Sequence, residues 1–237
     1  MSDRRRCLAS ACAAVLTAGF LTSTTAHADA GVPSLHSVTK STGFAGYAAN
    51  TVLATVTVSS GFTVPAITCR SSSEGIAPAV ILADSSVSYD SAGVAELCPK
   101  GNPAYTALVQ FDQKVTMISA VKPGDRMTVS ITQSSGSTTV TVKDTTAKWS
   151  KSYAGAGGSP GYIDIGVDDW VNFSTGAIYG VPTFTKVTFS ASRVNGASLA
   201  GYRPTQYERV SSTGVVQIAS SGLSSTGTSF GCTFRHN

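Results

Sequence analysis

Met127-Thr-Val-Ser-Ile-Thr132, then Gln133-Ser-Ser-Gly136, then Ser137-Thr-Thr-Val-Thr-Val142: two runs that alternate apolar and hydroxyl side chains, separated by four residues ending in glycine. A period of two puts the apolar side chains on one face and the hydroxyls on the other, which is the pattern of a half-buried strand. Two such runs around a short Gly-containing loop read as a β-hairpin. Immediately upstream, Pro123-Gly124-Asp125 supplies a turn feeding the first run. Comparable runs lie at 51–58, 79–82, 105–111, 162–167, 185–190 and 215–218, and no stretch of ten or more residues carries a clean helical period. Many short strands between closely spaced turns predict an all-β protein, a sandwich or a barrel.

Composition agrees with that reading and excludes others. Ser and Thr fill 63 of the 237 positions, glycine 23, and only 13% of residues are charged, with 42% hydrophobic. Disorder needs many charges and little apolar content, and heptads need more Glu, Lys, Leu and Arg than this chain has. The formal net charge of +4 comes without a basic run in the body of the chain, so no nucleic-acid partner is expected.

The first thirty residues read as a secretory signal peptide. Arg4, Arg5 and Arg6 precede an apolar stretch, Cys7 to Leu21, that is too short to span a bilayer. Ala26-His27-Ala28 and Ala28-Asp29-Ala30 offer cleavage near Ala28 or Ala30. The expectation is an exported chain with no membrane span, residues 31–237 forming one β domain; the loop Ala154 to Pro160 reads as internal rather than as a linker. Cleavage removes three Arg and two Asp (Asp3 and Asp29), leaving 14 positive against 11 negative charges, +3. Cys69, Cys98 and Cys232 remain. In an oxidising compartment the simplest pairing is Cys69 with Cys98, leaving Cys232 over, although an odd count leaves connectivity open on sequence alone. No zinc-type spacing occurs, so neither metal nor cofactor is expected, and the chain is expected to be a monomer.

Several phrases, in order, resemble the glutamic peptidases, the eqolisin or G1 family of secreted acid endopeptidases. Phe44-Ala-Gly-Tyr47 resembles the family's Trp-Ser-Gly-Tyr, and Thr63-Val64-Pro65 its Val-Pro. Residues 80–93, from Val80-Ile-Leu-Ala-Asp84 to Tyr89-Asp90-Ser91-Ala92-Gly93, align without a gap on Val-Gly-Ile-Asp-Gly and Val-Glu-Gln-x-Gly. Tyr105 to Phe111 stands where the family writes an aromatic-rich strand, Val121-Lys-Pro-Gly-Asp125 matches Val-x-Pro-Gly-Asp, and Ile163 to Asp168 falls on Ala-Glu-Trp-Ile-Val-Glu. Phe184-Thr-Lys-Val-Thr-Phe189 and Asn195-Gly196 complete a resemblance covering about residues 44–200. It implies a concanavalin-like sandwich of two bent antiparallel sheets, of eqolisin type.

The resemblance also implies a site. The family uses a Glu as general base on a water and a Gln to hold that water and the oxyanion, worth roughly 10²–10⁴-fold and 10²–10³-fold. Here the Gln position is Ser91 and the Glu position Asp168; the family Trp falls at about Ala79, and its substrate-side Glu at Gln110. Serine lacks the amide's paired donor and acceptor, and aspartate is one methylene shorter than glutamate. Around this pair, Asp84, Tyr89, Tyr105, Gln110 and Asp164 are candidate substrate contacts, with Tyr162 and Trp170 as further aromatic ones. Asp164 is expected on the same strand face as Asp168, about 13 Å along it, and Asp90 on the opposite face from Ser91. Plain structural roles stand beside these: a strand serine at 91, a solvated pair at Asp168 and Asp169, a turn residue at Asp84.

Three functions follow. The leading one is a non-catalytic or very weakly active groove for an extended peptide or polymer. The second is an acid endopeptidase with Asp168 as general base and Ser91 as water or oxyanion donor. The third is a structural extracellular sandwich. A serine-nucleophile mechanism lacks its base, since no histidine is embedded in a motif and no G-x-S-x-G occurs.

Overall fold

The alternation read at 127–142 is a hairpin in the computed structural model, which describes residues 37–83, 89–112, 114–134, 136–158, 161–172 and 175–236. Arg126–Ser134 pairs antiparallel with Ser137–Asp144, Val140 opposite Ile131 and Val142 opposite Val129, with these four fully buried. The connection is shorter than the four residues expected, because Ser134 and Ser137 already pair. Gly136 takes φ +77, a left-handed conformation that costs glycine nothing. The turn at Pro123-Gly124-Asp125 is closed by Asp125 N–H donating to Lys122 O and by Lys122 N–H donating to Asp125 Oδ2 at 2.7 Å.

In chain order the strands are β1 (Thr39–Ser41), β2 (Phe44–Asn50), β3 (Val56–Thr63), β4 (Ile67–Thr68), β5 (Gly75–Ala83), β6 (Tyr89–Leu97), β7 (Ala104–Phe111), β8 (Lys114–Ala120) and β9 (Arg126–Ser134). Then come β10 (Ser137–Asp144), β11 (Trp149–Gly155), β12 (Tyr162–Asp169), β13 (Thr183–Phe184), β14 (Val187–Val194), β15 (Ala197–Ser198), β16 (Thr205–Val210), β17 (Val216–Ser220) and β18 (Phe230–Phe234). Hydrogen bonds join most of them in one path, β11-β10-β9-β3-β14-β18-β17-β16-β2-β12-β5-β6-β7-β8, with β13 and β4 as a separate ribbon. Every pairing between named strands is antiparallel except β1 with β16. The path doubles over, so that β9 lies against β5 and β6, β3 against β5, and β10 against β6. Between the layers sits the core: Val58, Phe62, Ile131, Leu82, Ile163, Ile165 and Phe189 are at most 3% exposed. The two-layer antiparallel sandwich is therefore as expected. At the ends of the path, Lys151 Nζ on β11 donates to Ile118 O on β8 at 3.0 Å.

The run expected at 51–58 needs correction. Only Val56 onward is strand; Thr51 N–H instead donates to Gly161 O, and Val52 and Leu53 are exposed before the chain turns into β3. The alternation of buried side chains then continues through Val56, Val58, Ser60 and Phe62. The signal-peptide reading lies outside the described residues, as does Asp84. Among the described residues no helix is long and apolar enough to cross a membrane.

Cys69 and Cys98 form a disulfide with Cα atoms 5.6 Å apart across 29 residues of sequence. Closing a loop of that length removes roughly 3–4 kcal/mol of unfolded-state entropy. Cys232 is free and fully buried; its thiol donates to Ala45 O, and burial pushes its pKa up to about 12. A thiolate is the reactive form. We therefore expect no labelling of Cys232 by iodoacetamide at pH 8 in the folded protein and complete labelling in denaturant; rapid labelling of the native chain would contradict the burial.

Candidate active-site groove

The four central strands of one layer stand in the order β12-β5-β6-β7, and their register decides which side chains share a row. Directly opposite residues in antiparallel strands lie on the same face. Asp164 pairs with Ile81, Ile81 with Ser91, and Ser91 with Gln110, so these four form one row across four strands. One step along, Gly166 pairs with Ala79, Ala79 with Gly93 and Gly93 with Leu108. Asp168 belongs to a further row, opposite Ala77. On the other side of the Ser91 row, Tyr162 and Tyr89 flank Ala83.

Ser91 and Asp168 therefore share a face but not a row. With about 4.8 Å between strands and 3.3 Å per residue, their Cα atoms are separated by roughly 16 Å, against roughly 10 Å for Ser91 and Asp164. Tyr105 is not on this face at all. It pairs with Glu96, on the opposite side of the pleat from Ser91 and Gln110; its hydroxyl accepts from Ile67 N–H at 2.9 Å and its ring packs on the core. Its candidacy as a groove contact is corrected by this parity: five residues before Gln110, it must point the other way. Asp90 faces inward as expected, accepting from Thr138 Oγ1 at 2.5 Å.

Aromatic rings wall the groove. The Phe44 ring lies over Gly46 and Gly166, and a Cβ at Gly166 would stand 2.8 Å from it. Gly166 is the residue between Asp164 and Asp168 on this face, so the ring lies between the two carboxylates. Tyr207 meets Phe44 edge to face at 6.0 Å. Tyr89 shares a hydrogen bond with the Gln110 side chain, and the Gln110 amide donates to Asp112 O at 2.6 Å, which ties it away from Ser91.

The electrostatics are those of carboxyls short of water. Burial raises Asp164 to about 7. Asp168 is pushed well above the carboxylate range, first by burial and then by the like charges of Asp169 and Asp164. Asp169 is also raised by burial, with Arg209 opposing the shift. Arg209 on β16 is only 3% exposed, and its Nε and Nη1 have no hydrogen-bond partner, while Nη2 donates to Tyr179 O at 3.3 Å. Sequence reading missed Tyr207 and Arg209, although Thr205-Gln-Tyr-Glu-Arg-Val210 carries β-prone residues that would have marked the strand.

A match to the peptidase A4 family spans residues 42–229. The chain belongs to this family, which is that of the glutamic peptidases. Among solved structures, scytalido-glutamic peptidase, crystallised with a transition state analog inhibitor, is similar at 17% identity over 82% of this chain and 98% of its own, with a TM-score of 0.69. SCP-B, an eqolisin in complex with the tripeptide Ala-Ile-His, matches at 17% over the same shares with a TM-score of 0.64. Aspergilloglutamic peptidase from Aspergillus niger matches at 18% over 68% of this chain and 99% of its own, with a TM-score of 0.57. At these identities the likeness is one of fold. No curated protein sequence matches the chain. Family membership thus agrees with the sandwich, while the groove of this family member carries Asp164, Ile81, Ser91 and Gln110 in its central row.

Proposed function

We propose that the chain is an exported glutamic-peptidase relative whose groove holds extended peptide but has lost, or nearly lost, the ability to cut it. The observation that carries this reading is spacing. One water bridges two groups about 5.5 Å apart, two hydrogen bonds of about 2.8 Å. The Cα atoms of Ser91 and Asp168 are roughly 16 Å apart, a gap that a serine and an aspartate side chain leave outside that limit, and Ser91 and Asp164 stand two strands apart with only short side chains to close the gap. A general-base role for Asp164 is disfavoured a second way: a carboxyl with its pKa at about 7 is mostly protonated from pH 2 to 6 and so is a poor proton acceptor there. Tyr162, Tyr89, Phe44 and Tyr207 still offer aromatic surface for a ligand.

The test incubates residues 31–237 with an unfolded protein substrate across pH 2–6, alongside Asp164→Ala and Asp168→Ala variants, and in parallel measures binding of unstructured peptides by fluorescence anisotropy. The expected result is saturable binding, weakened about 10-fold by Tyr89→Ala, with no cleavage that depends on either aspartate. Cleavage abolished by Asp164→Ala or Asp168→Ala would make the protein a working peptidase and overturn the reading.

A further inference from the structure

On the outer face of the other layer, away from the groove, the outward positions of β14, β3, β9, β10 and β11 are dominated by hydroxyls. Arg193, Ser59, Ser130, Thr141 and Ser152 stand opposite one another in a single row across those five strands. The row on one side runs Thr57, Thr132, Thr139, and the row on the other runs Ser190, Gly61, Thr128, Lys143, Ser150. Neighbouring hydroxyls bond to one another, Thr57 to Thr132 at 3.0 Å and Thr141 to Ser152 at 2.9 Å. These rows contain no Asp or Glu, but they contain Arg193 and Lys143, and Arg126 begins β9 on the same face.

Into this face a depression of about 530 Å³ is cut, with Arg126 and Arg193 among its lining residues and Gly61, Thr128 and Ser190 between them. Its shape comes from a bulge in β14 between Ser190 and Arg193, where Ala191 is held at φ 51. That conformation is strained for a residue with a Cβ. The extra residue inverts the side-chain alternation: Ser192 turns inward, where it is fully buried and bonds to Ser60 Oγ at 2.9 Å, and Arg193 turns outward. Without the bulge Arg193 would face the core, so the strained residue is what exposes this guanidinium. Arg193 Nη1 donates to Gly196 O at 2.9 Å. The ion pair present among the described residues is Arg70 with Glu74, so no carboxylate among those residues pairs with Arg126 or Arg193.

The chemistry selects a ligand. The Cα atoms of the two outward arginines are separated by two strands and four residues, roughly 16 Å, with a hydroxyl-lined track between them. A guanidinium takes a carboxylate in a two-pronged contact, and serine and threonine hydroxyls pair with sugar hydroxyls as both donor and acceptor. A peptide would seek exposed aromatic or apolar side chains, whereas Phe62 and Met127, the large apolar residues lining this depression, are at most 3% exposed. A single-stranded nucleic acid would seek aromatic platforms, and these rows contain none. We propose that this face binds an acidic polysaccharide, a chain of uronic acid residues, with Arg126 and Arg193 holding its carboxylates. The proposal does not depend on the peptide groove.

The experiment titrates the mature chain into a fluorescein-labelled oligogalacturonate and follows anisotropy at low salt and at about 0.15 M. The expected result is saturable binding that survives the higher salt, weakened about 10-fold by Arg126→Ala and by Arg193→Ala and about 100-fold by both together. A neutral oligogalactoside does not bind, and Asp168→Ala leaves oligogalacturonate binding unchanged. Both arginines are exposed, and circular dichroism of the variants checks that they fold. Undiminished binding by the double variant overturns the proposal. So does equal binding of the neutral oligosaccharide, or equal binding of polyphosphate or single-stranded DNA of matched charge, which would make the face a general anion surface.

Discussion

Urea unfolding of the mature chain is expected to give higher stability at pH 4 than at pH 7, with Asp164 alone contributing about 2 kcal/mol of the difference. Its carboxyl moves from 3.8 to about 7 on folding. A group whose folded pKa is raised adds stability that is complete below the unfolded value and is lost as pH climbs through the folded one. At about 1.4 kcal/mol per pH unit the full shift corresponds to about 4 kcal/mol, and partial exposure of the side chain halves that. Asp168 and Asp169 slope the same way, as a coupled pair rather than independently. So does Glu96, which is fully buried, has neither carboxyl oxygen hydrogen-bonded, and is raised by burial alone. Asp164→Asn should flatten the profile between pH 4 and 7 by about the stated amount, and Glu96→Met should raise stability at neutral pH. Stability that rises from pH 4 to 7 would show that these carboxyls are hydrated in the folded protein.

The second large effect concerns rate. The register makes a choice between two restorations: Ser91→Gln with Asp164→Glu, or Ser91→Gln with Asp168→Glu. In the first, two lengthened side chains lean toward each other across Ile81 from one row, roughly 10 Å between Cα atoms. In the second, they start roughly 16 Å apart with the Phe44 ring beside the path. The first double variant is therefore expected to gain cleavage of an unfolded protein at acid pH, by at least about 10²-fold over the parent, and the second to gain none. Initial rates of peptide-bond cleavage across pH 2–6 decide it. Gain by the Asp168→Glu combination alone would mean that the row assignment is wrong.

How much of this was legible in the chain depends on the length of the pattern. The hairpin at 127–142 was readable because each strand alternates over six or more residues with one face buried. The edge strand β8 was not, because exposure on both sides leaves Lys114–Ala120 without a period. The Cys69–Cys98 pairing was the simplest of those an odd cysteine count leaves open, and it is the one formed. The groove was harder. Aligned motifs put Asp168 opposite Ser91, but rows are set by which residues pair across β5, and a four-residue offset along one strand leaves the face unchanged and so leaves no trace in the alternation. Tyr105 shows the converse: an odd separation from Gln110 already excluded it from that face. Arg209 was invisible because a buried cation has no sequence signature of its own; only the fold brings it near Asp168 and Asp169.

The contact between Lys151 and Ile118 has a consequence for how the protein behaves in a crowd. A doubled-over sheet has two ends, β11 and β8, and each offers a strand edge on which a second molecule could assemble. Here the Lys151 ammonium on one end reaches a backbone carbonyl of the other. A charge placed there makes the edge a poor template for stacking copies into fibres. For a chain with only 30 charged residues in 237 and so little mutual repulsion to keep molecules apart, that one lysine is a defence against aggregation out of proportion to its size.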